Sequence, residues 1–276
     1  MAQASNGPGQ LPTEAELTRA GLRLAVDGQV ARITISRPER RNAMTGRTWT
    51  TLAHIGQTLP ADVRIVVLAG EGDIFSAGID LNMFTPEGVD GERSMVAGIL
   101  DGTSTKADVE AYIAGLQEGF LWLRRPDLVT VAAVRGHAIG AGFQLALSCD
   151  LRILADDANF CMKEPALGLV PDLTGTKPLV DIVGVHRAVE ICLTARRVGA
   201  QEARELGLAE LVVPADELSA AVDDVVAALL ATDAEAAAAT KALLQQAAGN
   251  TLGEQAEAER RAQVGRLTAL ARTMSS

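Results

Sequence analysis

The sequence predicts a layered α/β fold, in which strands and helices alternate through the first 199 residues and a helical region follows. Three observations support this prediction. A hairpin signal lies near the start, two β-branched runs each end in a glycine-bearing loop, and Ala-rich amphipathic stretches follow residue 200. The recurring order of strand, loop and helix indicates one packed α/β core.

The elements of this core can be assigned in chain order. Asp27-Gly28 separates two apolar runs, 22–26 and 30–35, and this dipeptide favours a tight turn between antiparallel strands. A helix is expected at about 48–59. Buried strands are predicted by β-branched runs at 63–68 and 128–134, and another strand is expected at 150–154. Another helix is expected near Thr174–Val183.

The remaining segments divide the chain into three parts. Residues 1–20 are polar and contain Gly and Pro, which predicts a flexible tail ahead of the core at 21–199. Segment 85–110 is polar and irregular, so we expect a flap over the strand ends. Residues 200–276 are expected to be almost wholly helical, with helices near 215–230, 234–247 and 253–271.

Composition limits the class of partner. The 276-residue chain is 48% hydrophobic and 22% charged, which is enough apolar material for a large core. Its formal net charge of -10 disfavours nucleic acid and anionic membrane, because both attract a basic surface. The cysteines and histidines show no metal-ligand spacing, so no metal site is predicted. Because no signal-peptide pattern and no long apolar run occurs, we expect a cytoplasmic protein.

Two glycine-bearing loops carry possible chemistry. They read FSAGIDLN at 75–82 and GHAIGAGFQ at 136–144, and each lies where a strand precedes a helix. Small residues let backbone N–H groups approach a ligand, so two such turns facing each other would form an oxyanion hole. Glycine content alone favours ordinary strand–helix turns instead. Neither loop has the dinucleotide-binding pattern G-x-G-x-x-G, and no P-loop occurs.

A third segment, residues 160–172, contains two acidic candidates. Glu164 lies in a mostly apolar stretch before Pro165, and burial would raise its pKa towards that of a general base. A surface glutamate beside a turn is an equally good interpretation. Asp172 follows Pro171 and precedes a predicted helix, so it is also a candidate N-cap.

These motifs resemble, in order and spacing, those of the crotonase (enoyl-CoA hydratase/isomerase) superfamily. The resemblance covers about Leu22 to Arg272 and includes ITISRP, NAM, FSAGIDLN, GHAIGAGFQLALSCD and KEPALGLVPD. It implies a spiral of ββα turns with a helical C-terminal trimerisation region, assembled as a trimer or a dimer of trimers. It also implies an acyl-CoA substrate, with coenzyme A as part of the thioester and no permanently bound cofactor.

The resemblance also implies roles for individual residues. The N–H groups of Ile79 and Ala141 would form the oxyanion hole, and nearby arginines, Arg37, Arg40 and Arg41, would meet the CoA phosphates. Contacts with the rest of CoA and the thioester would come from the two loops, through Ala77, Gly78, Ile79, Asp80, Leu81, Asn82, Gly140 and Ala141.

The sequence departs from the hydratases of this superfamily at one catalytic position. Gln144 stands where they have a glutamate, and an amide can orient water but cannot transfer a proton at neutral pH. Glu164 remains, and Asp172 adds an acid, as in dienoyl-CoA isomerases, although these also tend to have an acid at the Gln144 position. We therefore expect an isomerase with Glu164 and Asp172 as acid/base groups. The alternatives are a hydratase whose water is held by Gln144, and a non-catalytic acyl-CoA binder.

Overall fold

The computed structural model describes residues 9–274, and a mixed sheet of six strands forms its centre. The strands found in this range are β1 (Leu22–Asp27), β2 (Val30–Ile35), β3 (Ile65–Gly70), β4 (Val129–Val134), β5 (His137–Ile139), β6 (Leu151–Ala155), β7 (Asn159–Cys161), β8 (Val198–Gly199) and β9 (Leu211–Val213). The large sheet has the order β1-β2-β3-β4-β6-β9, and only its β1–β2 hairpin is antiparallel. The predicted hairpin and buried strands are confirmed.

Helices cover both faces of this sheet. They are α1 (Glu14–Arg19), α2 (Gly46–Thr58), α3 (Ala97–Leu100), α4 (Lys106–Leu121), α5 (Ala141–Ser148), α6 (Thr176–Thr194), α7 (Ala200–Glu205), α8 (Leu218–Leu230), α9 (Ala234–Ala247) and α10 (Leu252–Met274). Alternation along β3 separates the two faces: Ile65 and Val67 pack with α8, whereas Val66 and Leu68 join the main core.

A second, smaller sheet turns the core into a spiral. After β4 the chain enters β5, and after β6 it enters β7, so successive turns each add one strand to the large sheet and one to the small sheet β5-β7-β8. The turn that contains β3 continues this pattern through a parallel bridge between Ser76 and Ala138. This is the α/β spiral expected for the superfamily, with helices α7–α10 after it.

The two ends of the chain differ in how they compare with the sequence-based assignment. The expected flexible tail contains α1, whose Thr13 and Glu16 form a capping box and whose Leu17 is buried in the core. Residues 1–8 lie outside the described residues. The C-terminal region is almost wholly helical, as predicted, and its exception is Leu211–Val213, which extends the large sheet beside β6. Three residues are too few to give a strand pattern, and the pairing exists only once β6 is in place.

The predicted irregular flap at 85–110 is also more ordered than expected. It contains α3, and α4 begins at Lys106, where the Thr105 side chain accepts from the Asp108 N–H. Across residues 9–274, no helix is long and apolar enough to span a membrane.

Candidate active site

Two glycine turns meet beside the small sheet. Gly78 has a φ of 92° and Gly140 a φ of 51°, values that glycine adopts far more readily than other residues. A Cβ atom on Gly78 would lie 2.6 Å from the Ile139 carbonyl oxygen and 3.6 Å from the Ala141 nitrogen. The two turns therefore pack backbone against backbone, which only glycine at position 78 permits.

Parallel backbone pairing and one serine hold these turns together. The Ser76 N–H donates to the His137 carbonyl at 2.8 Å, and the Ile139 N–H donates to the Ser76 carbonyl at 3.0 Å. The Ser76 hydroxyl donates to the Asn42 carbonyl at 2.7 Å and accepts from the Gly78 N–H at 3.1 Å. The Asn42 side chain in turn bonds the carbonyls of Glu71 and Ile74. The sequence patterns assigned no role to Asn42, although it is the first residue of the NAM motif.

The N–H groups of Ile79 and Ala141 follow the two glycines in the chain. Ala141 is the first residue of α5, so its N–H has no acceptor within the helix and carries part of the positive end of the helix dipole. Within the described part of the chain, neither N–H donates to a protein oxygen. Two free donors so close together can bind an oxygen on which negative charge develops.

Glu164 and Gln144 form a hydrogen-bonded pair behind the turns. Gln144 is fully buried in α5, and its Nε2 donates to Glu164 Oε1 at 2.7 Å. Glu164 is only 9% exposed, and its Oε2 is buried without a hydrogen-bond partner in residues 9–274. Gly140 makes room for this carboxyl group, since a Cβ there would lie 3.1 Å from Glu164 Oε1.

A cavity of about 290 Å³ lies in front of this pair. Ile79, Ala141, Glu164 and Asp172 all line it, and most of the remaining wall is apolar side chains from α2, α4, the segment 84–99 and residues 169–173. The structure thus brings together the two predicted N–H donors and the two predicted acids. Gln144, by contrast, does not line the cavity. The expectation that Gln144 holds a water molecule for attack is therefore corrected, because its amide is engaged inside the protein.

Burial sets the acidity of both carboxyl groups. Desolvation raises the pKa of Glu164, and the nearby Asp172 carboxylate raises it further, while hydrogen bonds from backbone N–H groups and from Gln144 act in the opposite direction. Desolvation also raises the pKa of Asp172. Two acids with raised pKa values in an apolar cavity are candidates to take up and return protons.

The predicted CoA-contacting arginines differ in their surroundings. Arg37 is buried: its Nη1 donates to the Ala43 carbonyl at 2.7 Å, and its Nη2 pairs with Asp80 at 3.2 Å and Asp90 at 2.7 Å. Its assignment to a CoA phosphate is therefore corrected, because these internal contacts use the guanidinium. Arg40 is exposed. Asp80 is a buried hydrogen-bonded loop residue that also caps the short helix Leu81–Phe84.

The family model for enoyl-CoA hydratase/isomerase matches residues 26–273. The chain belongs to this family. Among its curated relatives, "Probable enoyl-CoA hydratase echA8" of Mycobacterium bovis is 30% identical over 237 residues, which is 85% of each chain. The mitochondrial Delta(3,5)-Delta(2,4)-dienoyl-CoA isomerase of Homo sapiens is 34% identical over 197 residues, 68% of this chain and 57% of the human protein.

Solved structures of the enoyl-CoA hydratase/isomerase family match the chain more closely. A candidate enoyl-CoA hydratase of Thermobifida fusca, solved in complex with CoA, is 63% identical with a TM-score of 0.90, covering 96% of this chain and 99% of that chain. The same identity and TM-score hold for its complex with acetoacetyl-CoA, over 94% of this chain and 100% of that chain.

The packing of the two turns predicts the effect of a methyl group at position 78. Gly78→Ala should lower the free energy of unfolding by about 1–3 kcal/mol more than Gly72→Ala, since it adds a clash to backbone strain. Gly72 is the matched control, because its φ of 72° imposes similar strain while a Cβ there would have open space. Urea unfolding measures the loss of stability in each variant. Equal losses would show that the turns are not in close contact.

The raised pKa of Glu164 predicts how stability depends on pH. Below the ordinary value of 4.5 the carboxyl group is protonated in the folded and unfolded chain, so Glu164→Gln and the wild type should be similarly stable. As pH rises through the higher folded-state pKa, the wild type should lose stability that the variant keeps. Thermal unfolding from pH 4 to 8 measures this difference. Glu118→Gln, on an exposed face of α4, is the control; a pH-independent difference for Glu164→Gln would contradict the account.

Proposed function

We propose that the chain is an acyl-CoA isomerase, which moves a carbon–carbon double bond along an enoyl- or dienoyl-CoA thioester. One observation carries the proposal: Glu164 and Asp172 both line an apolar cavity whose wall also includes Ile79 and Ala141. A double-bond shift needs one proton removed and another delivered, and two carboxyl groups beside one substrate can do both.

The proposed reaction uses each part of the site once. The thioester oxygen accepts hydrogen bonds from the Ile79 and Ala141 N–H groups, which stabilise the negative charge of the enolate. The Glu164 carboxylate removes a proton from C2 of a 3-enoyl thioester; the C2–H electrons form C1=C2, and the C1=O electrons move to the thioester oxygen. When this enolate collapses, C1=O re-forms, the C1=C2 electrons form C2=C3, and the C3=C4 electrons form a bond from C4 to an incoming proton. Asp172, as the second acid, delivers a proton to C4. The apolar wall keeps water from the intermediate.

Gln144 supports isomerisation over hydration. Addition of water by two carboxyl groups would need an acid at this position, and Gln144 supplies an amide that lies behind the cavity. Hydration remains the second candidate, since the relatives named above include proteins named as hydratases. In that case Glu164 alone would activate the water.

The substrate is proposed to be a CoA thioester because the Thermobifida fusca relative binds CoA and acetoacetyl-CoA. Arg40 is exposed, and the carbonyl of its neighbour Arg41 accepts a hydrogen bond from the Ala77 N–H in the first glycine loop, so Arg40 is the proposed contact for a CoA phosphate. Residues 77–82 and Gly140 are proposed to hold the pantetheine and thioester. Arg37 would act indirectly, by fixing Asp80 and hence this loop.

Removal of the proposed base predicts a specific loss. Glu164→Gln should lower kcat for a 3-enoyl-CoA about 10²–10⁴-fold, because an amide cannot accept the proton. Asp172→Asn should also lower kcat, about 10²-fold, if it returns the proton. Thioester affinity should stay within a few-fold in both variants, and Glu118→Gln should behave as wild type. Full turnover by Glu164→Gln would contradict the assignment.

The choice between the two reactions is decided by product mass. The purified protein is incubated with 2-enoyl-, 3-enoyl- and 3,5-dienoyl-CoA, and conjugation is followed by absorbance with mass spectrometry in parallel. A shifted double bond with unchanged mass supports the isomerase. The gain of one water from a 2-enoyl thioester, without any shift, supports the hydratase.

We also propose that the chain assembles as a trimer or a dimer of trimers. Val185, Val189 and Leu193 lie four residues apart on α6, and they are 55%, 49% and 71% exposed. The exposed apolar residues of α10 include Val264, Leu267 and Met274. Apolar stripes on two helices of this size support an interface with another copy.

A charge on the α6 stripe should disrupt this assembly. The double substitution Val189→Asp and Leu193→Asp is expected to convert the oligomer to smaller species, because burying two carboxylates costs more than the contacts gain. Analytical ultracentrifugation measures the mass. Substitution of exposed, polar Glu118 by Gln is the control, and a monomeric wild type would contradict the proposal.

A further inference from the structure

Gln144 holds together two segments that carry acids. Its Nε2 donates to Glu164 Oε1 at 2.7 Å, while its Oε1 accepts from the Leu173 N–H at 2.9 Å and the Gly175 N–H at 3.2 Å. The first bond is to the short helix Glu164–Leu167, and the other two are to the segment that follows Asp172. One buried side chain therefore links both proposed acid/base groups.

The hydrogen bonds determine which way the amide points. If the amide were turned by 180°, its NH₂ group would face the N–H groups of Leu173 and Gly175, and its oxygen would face the Glu164 carboxylate. Both contacts would be repulsive, and a buried polar group without a partner is costly. The NH₂ group must therefore point at Glu164. A glutamine in this environment has one stable orientation.

This orientation makes the two oxygens of Glu164 unequal. Oε1 accepts the Gln144 N–H, so a proton on Oε1 would compete with that donor. Oε2 has no partner in the part of the chain that the structure describes. The proton that Glu164 gains and loses is therefore directed to Oε2. A second carboxyl group at position 144 would remove this asymmetry, because two adjacent carboxylates share a proton.

We propose that Gln144 is a positioning residue, which keeps Glu164 Oε2 as the proton-carrying oxygen and holds Asp172 at the same cavity. The expected effect on kcat rests on the proposed function, whereas the expected effect on the Glu164 titration rests on the hydrogen bonds alone. Gln144 does not contact the substrate in this account, since it lies behind the cavity wall. It acts only through Glu164 and the segment 173–175.

Other titratable groups near Glu164 do not replace this role. Asp172 faces it across the cavity and raises its pKa, as noted above. The thiols of Cys161 and Cys192 lie close enough to be influenced by its charge, and burial raises the pKa of both, so they are neutral at neutral pH. Lys163 is exposed. Backbone N–H groups at Glu164 and Lys163 also stabilise the carboxylate, and Gln144 is the neutral side chain that donates to Oε1.

The matched control is Gln117. Its Nε2 donates to the Asp172 carbonyl at 2.6 Å, so Gln117 holds the same segment as Gln144 without touching Glu164. Gln144→Met and Gln117→Met each replace an amide by an apolar side chain of similar size. Gln144→Glu keeps an acceptor for Leu173 and Gly175 but places a carboxyl group against Glu164. Circular dichroism and thermal unfolding confirm that each variant is folded before it is compared.

The experiment compares pH profiles of kcat and a direct titration of the Glu164 carboxyl group by ¹³C NMR. Gln144→Met should lower kcat about 10²-fold with little change in KM, since the carboxyl loses its orientation. In the pH profile of kcat, the fall in activity on the acid side, the acid limb, should move to higher pH in this variant. The lost hydrogen bond stabilised the Glu164 carboxylate, so its loss raises the pKa of Glu164. Gln144→Glu should move the acid limb further in the same direction. Gln117→Met should leave the acid limb at its wild-type position.

The outcomes separate this inference from the proposed function. If Gln144→Met keeps the wild-type acid limb and kcat, the positioning role is wrong even though the isomerase stands. If the wild type turns over no enoyl-CoA, the proposed function fails, and the ¹³C titration still decides the inference. The positioning role of Gln144 would be overturned if the pKa of Glu164 were unchanged in Gln144→Met. It would also be overturned if Gln117→Met shifted that pKa by the same amount.

Discussion

A hydrogen bond between two buried side chains, Gln144 and Glu164, supports the rest of the site. The carboxyl group lies in an apolar cavity, where its charged form is disfavoured. Backbone N–H groups at Glu164 and Lys163 and the Gln144 side-chain amide offset part of this penalty. A carboxyl group with no donor would stay protonated and could not act as a base. In Glu164 burial outweighs these donors, so its pKa is raised while the Gln144 hydrogen bond still favours the carboxylate that acts as the base.

The oxyanion site depends on the backbone instead. Parallel pairing of Ser76 with the chain at His137 and Ile139 places the two glycine turns in contact, and the Ser76 hydroxyl ties them to Asn42. Because the donors are backbone N–H groups that directly follow these paired segments, their separation is set by backbone pairing rather than by flexible side chains. Little reorganisation is then needed when charge develops on a bound oxygen.

Sequence patterns predicted the parts of this molecule that depend on neighbours in the chain. Asp27-Gly28 gave the hairpin, β-branched runs gave β3 and β4, and the glycine loops gave both turns. For Glu164 the sequence left a poorly solvated position and a surface turn equally open, and the structure shows a buried side chain. The capping box Thr13–Glu16 was also readable, but the polar composition around it suggested a tail instead.

The errors concern contacts between distant segments. From the sequence, Arg37 was expected to bind a phosphate. Its guanidinium instead pairs with Asp80 and Asp90, which are 43 and 53 residues away in the chain. Gln144 was expected to face substrate, yet its direction depends on N–H groups 29 and 31 residues later. No local pattern encodes either arrangement. Both follow from the spiral, which brings the turns and the segment after Asp172 together.

The most direct test of the central claim is a crystal structure of the protein with an unreactive acyl-CoA thioester. The account predicts the thioester oxygen at about 2.7–3.1 Å from both the Ile79 and Ala141 nitrogens, with Glu164 Oε2 nearest the acidic carbon. Gln144 should keep its contact with Glu164 Oε1. A thioester oxygen that contacts neither nitrogen, or a Gln144 side chain turned into the cavity to hold water, would contradict it.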